Sequence, residues 1–304
     1  MDLRQLAAIV AVADSGSFSH AADALHTVQS NVSNHVARLE KELGVQLVDR
    51  HRGQLTEEGH AVVERARRIA GEIDAMVADV AALGSEVEGS VRLGMIGTTA
   101  RWLVPRLLER LAVAHPKVHL TVVEATSATL EPQLAGGRLD LAVVNLPVPG
   151  SDVVGRPLFD EDLVLVVPVG HPLAEITNLS MADLDEVPLL LPATGTAFRN
   201  EVEKGAADAG VTLVAKADLD GVRLIASLTF DGYGPAILPA TAVPAALQDR
   251  WRRISVAGLP RRHVGVAARR RGLPSAPARA VLAVLDEIVA SDVDSHNGLH
   301  HPGA

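Results

Sequence analysis

Residues 15–62, SGSFSHAADALHTVQSNVSNHVARLEKELGVQLVDRHRGQLTEEGHAV, decide the fold at the start of the chain. Just ahead of them, Leu3, Leu6, Ala7, Val10 and Ala13 recur at helical spacing and stop at Ser15-Gly16, a helix-ending pair. Ser17 or Ser19 can cap a second helix from His20 to Leu25, whose Ala21-Ala22 pair admits a close neighbour. A third pattern starts at Thr27 and runs through Val32, Val36, Leu39 and Leu43 to Gly44. Gln46-Leu47-Val48, a turn at His51-Arg52-Gly53 and Leu55 read as a small hairpin. Two helices across a short turn, followed by a hairpin, predict a winged helix-turn-helix over residues 1–60.

The third helix is the candidate reader of double-stranded DNA. It presents Gln29, Ser30, Asn31, Ser33, Asn34, His35 and Arg38, while Val32, Val36, Leu39 and Leu43 face inward. Gln and Asn match adenine edges bidentately, Arg38 suits phosphate or guanine, and the free amides of the first turn suit phosphates. An ordinary solvated helix face has a similar composition, so the pattern alone leaves both readings open. Residues 1–60 carry five Arg and Lys against eight Asp and Glu. DNA affinity therefore falls to Arg38, Arg50, Arg52 and the helix N-termini rather than to bulk charge.

Outward from this module, Thr56-Glu57-Glu58 opens a long helix expected to reach about Glu86. Its apolar positions Val62, Ala66, Ile69, Ile73, Met76, Val80 and Leu83 alternate steps of four and three, an a/d seam. Residues 61–89 are therefore expected to be a linker through which two copies dimerise; the alternative is a helix lying on its own domain. Residues 90–290 alternate strand and helix patterns, which predicts parallel sheets covered by helices. The length suits two α/β lobes with a cleft between them, lobe I at about 90–161 and 265–290 and lobe II at about 162–264. The polar tail 291–304 is expected to be disordered.

Polar residues recur where these strands end and helices begin. They are Thr98 and Thr99 ahead of Arg101, then Thr126 and Ser127, Asn145, and finally Thr194 and Thr196 ahead of Arg199. Helix N-termini at strand ends bind anions, and open α/β sheets take ligands there. Each hydroxyl alone is better explained as a cap, but four converging loops point to a small anionic effector, a carboxylate, between the lobes.

Several classes are set aside by composition. The chain has no cysteine, which removes disulfides, thiol catalysis and thiolate metal sites. Its net charge of −9 argues against a generally basic nucleic-acid coat. No run approaches the ~20 apolar residues of a membrane span, and no secretory leader is recognisable, so the cytoplasm is the expected compartment. No nucleophile elbow, phosphate-binding loop, HExxH or Rossmann glycine fingerprint occurs, so no enzyme, cofactor or metal is expected. Asp160 and Asp162 read as a solvated turn, and the arginines from Arg250 to Arg271 as solvated surface or a subunit contact. A solute-binding protein without a DNA role is the alternative function.

The stretch 15–62 resembles the DNA-binding module of LysR-type transcriptional regulators. RLGMIGTTARWLVPRLLERLAVAHPKVHLTVVEATSATLEPQLAGGRLDLAVV (92–144), LVLVVPVGHPLA (163–174) and DGYGPAILP (231–239) resemble their effector domain, in the same order. The resemblance spans about residues 1–290. It implies a homo-oligomer, often a tetramer, with RNA polymerase as a further partner, and a periplasmic-binding-protein-like domain that senses a small molecule. It also implies a wing at His51-Arg52-Gly53, from which Arg50 and Arg52 reach the minor groove or flanking phosphates. The turn is shorter here than is usual for the family.

Overall fold

The computed structural model describes residues 1–50, 52–84, 86–176, 179–243 and 250–303. The N-terminal module is built from α1 (Leu3–Ser15), α2 (Phe18–Ala24) and α3 (Gln29–Leu43), followed by β1 (Val48–Asp49) and β2 (Gln54–Leu55). The Asp2 side chain accepts from the Gln5 amide and Gln5 answers to the Asp2 amide, so α1 starts on a capping box. Ser17, not Ser19, caps the second helix through the His20 amide, which moves its start to Phe18. The third helix starts at Gln29 rather than Thr27, because Val28 takes the cap position in an extended conformation; the Thr27 hydroxyl accepts from the Asn31 side-chain amide at 3.0 Å. Leu6, Ile9, Val12, Ala21, Val32, Val36, Leu39, Leu47 and Val63 form the core.

The long helix α4 (Glu57–Ala82) is capped by Thr56 and ends four residues before the expected Glu86. Gly59 lets it lie on the hairpin: a Cβ there would meet the Leu47 carbonyl oxygen at 2.0 Å. At its far end, Asp79 Oδ1 accepts from the Ala276 amide at 2.8 Å, tying α4 to the C-terminal half.

That half runs β3 (Gly89–Met95), α5 (Gly97–Ala114), β4 (Val118–Glu124), α6 (Ser127–Ala135), β5 (Leu141–Asn145) and β6 (Val153–Pro168). It continues through β7 (Leu179–Ser180), β8 (Pro188–Pro192), α7 (Ala197–Asp208), β9 (Val214–Leu219), α8 (Val222–Phe230) and β10 (Ala236–Pro239). β11 (Trp251–Ile254), β12 (Val256–Ala257), β13 (Arg261–Arg269), α9 (Ala276–Asp292) and β14 (Leu299–His300) complete it. β3 pairs in parallel with β4 and β5, and β13 joins β5 to β6 antiparallel. β6 is the crossover: its first half pairs β13, and its second half pairs β10 and β11. It is buried on both faces there, with Leu163, Leu165 and Val167 in one cluster and Val164 and Val166 in another. The core of lobe I gathers Leu93, Met95, Leu103, Leu141, Phe159, Val281 and Ile288.

The tail corrects the expectation of disorder. Val293 and Leu299 are buried, and β14 pairs antiparallel with β6, Leu299 opposite Glu161 and His300 opposite Asp160. The Asp162 amide donates to the Gly298 carbonyl at 2.9 Å, the Gly303 amide donates to Asp160 Oδ2 at 3.0 Å, and Arg253 donates to the Asn297 carbonyl at 2.7 Å. The His296 ring lies 5.6 Å from the Trp102 ring, centre to centre. The tail is polar on average, yet Val293 and Leu299 supply apolar anchors and β6 supplies an edge for its backbone. Asp160 and Asp162 accordingly lie in a strand, not in a solvated turn, and Asp160 is buried against His263 Nδ1 at 2.7 Å. The arginine cluster is not uniformly surface either: Arg262 is buried and donates to Glu161 Oε2 at 2.6 Å.

Candidate DNA interface and effector cleft

On α3, Gln29, Ser30, Asn31, Asn34 and Arg38 are exposed, whereas Ser33 and His35 are half-buried. Val28 accepts the first helical bonds, from the Asn31 and Val32 amides, and no side chain caps the helix. The amides of its first turn therefore point outward beside Gln29 and Ser30. One Nδ2 hydrogen of Asn31 is committed to Thr27, which leaves its oxygen and its second N–H to face outward partners.

Glu40 pins the hairpin to α3. Its Oε1 accepts from the Leu47 and Val48 amides at 2.9 and 3.2 Å, and its Oε2 lies 3.4 Å from Arg50. The Arg50 guanidinium also lies 5.9 Å from the centre of the Phe18 ring. Arg52 projects from the turn with its side chain 79 % exposed, 3.7 Å from Asp49. The strands are two residues each, so the wing is short; His51 lies outside the described residues. The Phe18 and Glu40 contacts were missed in the sequence, because neither residue carries a DNA-binding signature.

The a/d seam of α4 divides. Val62 and Ala66 pack into the core of the N-terminal module. Beyond them, Ile69, Met76, Val80 and Leu83 are 40, 59, 65 and 88 % exposed, and Ile73 is half-buried.

Between the lobes lies a cleft of about 280 Å³, lined by Thr98 and Arg101 from α5 and by Arg223, Ser227 and Phe230 from α8, with Asp231 beyond. Of the nine effector residues expected from sequence, only Thr98 and Arg101 line it. Thr98 is buried and its hydroxyl accepts from Arg262 at 3.2 Å. Thr99 is fully buried, and its hydroxyl has no hydrogen-bond partner among the described residues. Thr126 pairs with the Thr129 hydroxyl at 3.0 Å, and Ser127 accepts from the Asn145 amide at 3.0 Å. Thr194 is exposed and is not part of the cleft lining, and Thr196 caps α7 through the Arg199 amide.

Arg199 is the clearest correction. It is buried and consumed within its own lobe by Glu203 at 2.6 Å, Asp218 at 2.7 Å and the Pro192 carbonyl at 2.9 Å. Burial alone would lower its pKa, but the two carboxylates outweigh that and raise it, so it is a fixed internal cation. Arg223, Ser227 and Asp231 were missed because the pattern Val222 to Leu228 reads only as a covering helix. Nothing along the chain says that α8 faces α5.

The family description "Bacterial regulatory helix-turn-helix protein, lysR family" matches residues 3–60, and "LysR substrate binding domain" matches residues 84–290. A probable hydrogen peroxide-inducible genes activator of Mycobacterium leprae is 32% identical over 296 residues, covering 94% of this chain and 94% of that protein. A full-length OxyR with a cysteine-to-aspartate substitution from Pseudomonas aeruginosa superposes with a TM-score of 0.77 at 27% identity, over 95% of this chain and 94% of that one. Full-length CbnR in complex with its target DNA superposes with a TM-score of 0.67 at 25% identity, over 96% and 99%. With an exposed polar helix face in the first matched segment and a cleft between two lobes in the second, the chain belongs to the LysR family and is a DNA-binding transcription regulator with an effector-binding domain.

Proposed function

We propose that the chain acts as a homodimer joined along α4, able to pair further into a tetramer. It reads operator DNA with Gln29, Ser30, Asn31, Asn34 and Arg38, and Arg50 and Arg52 flank the site. The protein works in the cytoplasm and catalyses no reaction. The observation that carries this reading is the uncovered seam. Ile69, Met76, Val80 and Leu83 present an apolar stripe continuous with a groove of about 580 Å³ lined by Leu3, Leu6, Val10, Leu25, Ile69 and Ile73. A second copy of α4 has the complementary stripe.

The activating signal is a small molecule in the cleft at Thr98, Arg101, Arg223 and Ser227. The peroxide-inducible relatives suggest an oxidant, but this chain has no thiol to oxidise, so a thiol-to-disulfide switch is chemically unavailable to it. A reversibly bound effector, anionic by the charge of Arg101 and Arg223 against the single carboxylate of Asp231 in the cleft lining, is the reading that remains. Mass measurement by light scattering, wild type against Ile73→Glu, tests the assembly: a dimer or tetramer that falls to monomer supports it, and an unchanged mass contradicts it. A DNase footprint with and without added small carboxylates tests the coupling of cleft to DNA.

A further inference from the structure

We infer that Glu124 is a tethered stand-in for the effector's carboxylate, and that the effector binds by displacing it from Arg223. The inference rests on the cleft being the effector site and adds which charge the protein itself places there. Glu124 ends β4 of lobe I, and Arg223 opens α8 of lobe II; their side chains form an ion pair across the cleft mouth. The pair runs flat over the first residue of α5. A Cβ on Gly97 would meet Glu124 Oε1 at 2.6 Å and Arg223 Cδ at 3.3 Å. Gly97 is not among the glycines with positive φ, so what a side chain there would disturb is this pair and not a turn.

The cleft itself begins one residue further on, at Thr98 and Arg101, and shares Arg223 as its opposite wall. The α5 start has no side-chain cap, because Ile96 occupies the cap position. A carboxylate at this end of the cleft therefore has the outward amides of α5, Arg223 and Arg101 as donors, and Glu124 is the carboxylate that presently holds part of that set. Arg101 is exposed and lines the cleft.

Two features make exchange feasible. The pair is well exposed, with side chains 66 and 41 % accessible, and ion pairs of that kind are worth at most about 1 kcal/mol. The charges on the wall also balance while Glu124 is in place: Arg101 and Arg223 face Glu124 and Asp231. Once Glu124 swings out, one positive charge is in excess, which suits a monocarboxylate better than a dicarboxylate. A tether that spans the lobes also reports occupancy. Releasing Glu124 frees lobe II from β4, and a bound carboxylate rejoins Arg223 to α5 instead, so the relative pose of the lobes changes with the ligand.

The test is a titration of the full-length protein with benzoate, succinate and benzamide, followed by calorimetry and by Trp102 fluorescence. Wild type, Glu124→Gln, Gly97→Ala, Arg223→Gln, Arg101→Gln and Ser227→Tyr are compared. Benzoate is expected to bind Glu124→Gln about fivefold more tightly than wild type, the worth of an exposed ion pair. Gly97→Ala, which nudges the flexible end of Glu124 aside without removing its charge, shifts affinity the same way by less. Arg223→Gln and Arg101→Gln weaken benzoate roughly tenfold or more, as loss of a charged hydrogen bond does. Benzamide does not compete, and succinate binds more weakly than benzoate.

Benzoate affinity unchanged or weakened in Glu124→Gln overturns the inference. If Ser227→Tyr, which fills the cleft, nonetheless abolishes binding of benzoate or benzamide, the effector site stands and only the stand-in role falls. Binding indifferent to Ser227→Tyr places the effector elsewhere and removes both. Absence of benzoate binding in every variant at millimolar concentration overturns the carboxylate assignment outright.

Discussion

The DNA-reading module and the interlobe cleft look unlike each other, yet both are built at helix starts that carry no side-chain cap. α1, α2, α4, α7 and α9 are capped by the side chains of Asp2, Ser17, Thr56, Thr196 and Ser275. α3 starts behind Val28, α5 behind Ile96 and α8 behind Gly221, none with a side-chain cap bond. α3 carries the exposed polar face proposed to read DNA, and α5 and α8 carry the two walls of the cleft. A hydroxyl or carboxylate that caps its own helix has spent its hydrogen-bonding capacity locally. A helix that begins behind an apolar residue or glycine keeps its outward amides for something else. α6 marks the limit of the rule: it too lacks a cap bond, but its Ser127 hydroxyl is taken up by the Asn145 amide.

The largest effect expected concerns what holds the lobes rather than what they bind. Glu161 is fully buried and receives Arg262 on one oxygen and the Thr241 amide on the other, at 2.6 Å each. Arg262→Met leaves that carboxylate unpaired and is expected to destabilise the effector domain by about 3–5 kcal/mol, read as a fall in its unfolding midpoint in denaturant. A loss below 1 kcal/mol would mean that the crossover is held by packing alone. Next comes the seam. Ile73→Glu places a charge between two helices and is expected to lower affinity for a two-half-site operator on the order of 100-fold, since avidity is lost while each module stays folded. Retention of full affinity would show that one module suffices.

On α3, Arg38→Ala should cost about 1–3 kcal/mol of specific binding and flatten the salt dependence by roughly one unit if Arg38 sits on phosphate. Ser33→Ala, at a half-buried position, should do less, and equal losses would mean that burial does not sort the two. The smallest effect is on the tail. Burial lowers the His296 pKa, assisted by the charges of Arg253 and Arg106 and opposed by the Asn297 carbonyl and Glu161. A base whose folded value is depressed stabilises its docked form fully above its ordinary value of 6.5, and loses that contribution as pH falls below it. Trp102 emission should therefore change as the medium is acidified below that value, and His296→Phe should remove the change.

The N-terminal module was legible because its information is local. Helical spacing in Leu3 to Ala13 and in Val32 to Leu43, each closed by a glycine, and a serine cap between them suffice to place three helices, and the exposed face of α3 follows from its inward one. The two-lobe organisation was legible for the same reason, one strand-helix unit at a time. What the chain hides is which units meet. Arg199 and Arg223 look alike along the sequence, each near the start of a helix. One is clamped by Glu203 and Asp218 while the other faces the cleft, and only the packing of α8 across from α5 separates them. The tail misled for a different reason. Average polarity predicts disorder, but two apolar anchors and a strand edge at residues 160–162 are enough to order it.

The measurement that bears most directly on the central claim is a footprint of the purified full-length protein on the DNA upstream of its own gene, with and without benzoate. The expected result is protection of two half-sites on one face of the duplex, at an affinity far above that for random DNA, with the pattern changed by the ligand. Binding that is equally weak on both DNAs, disappears with salt and ignores the ligand would contradict it.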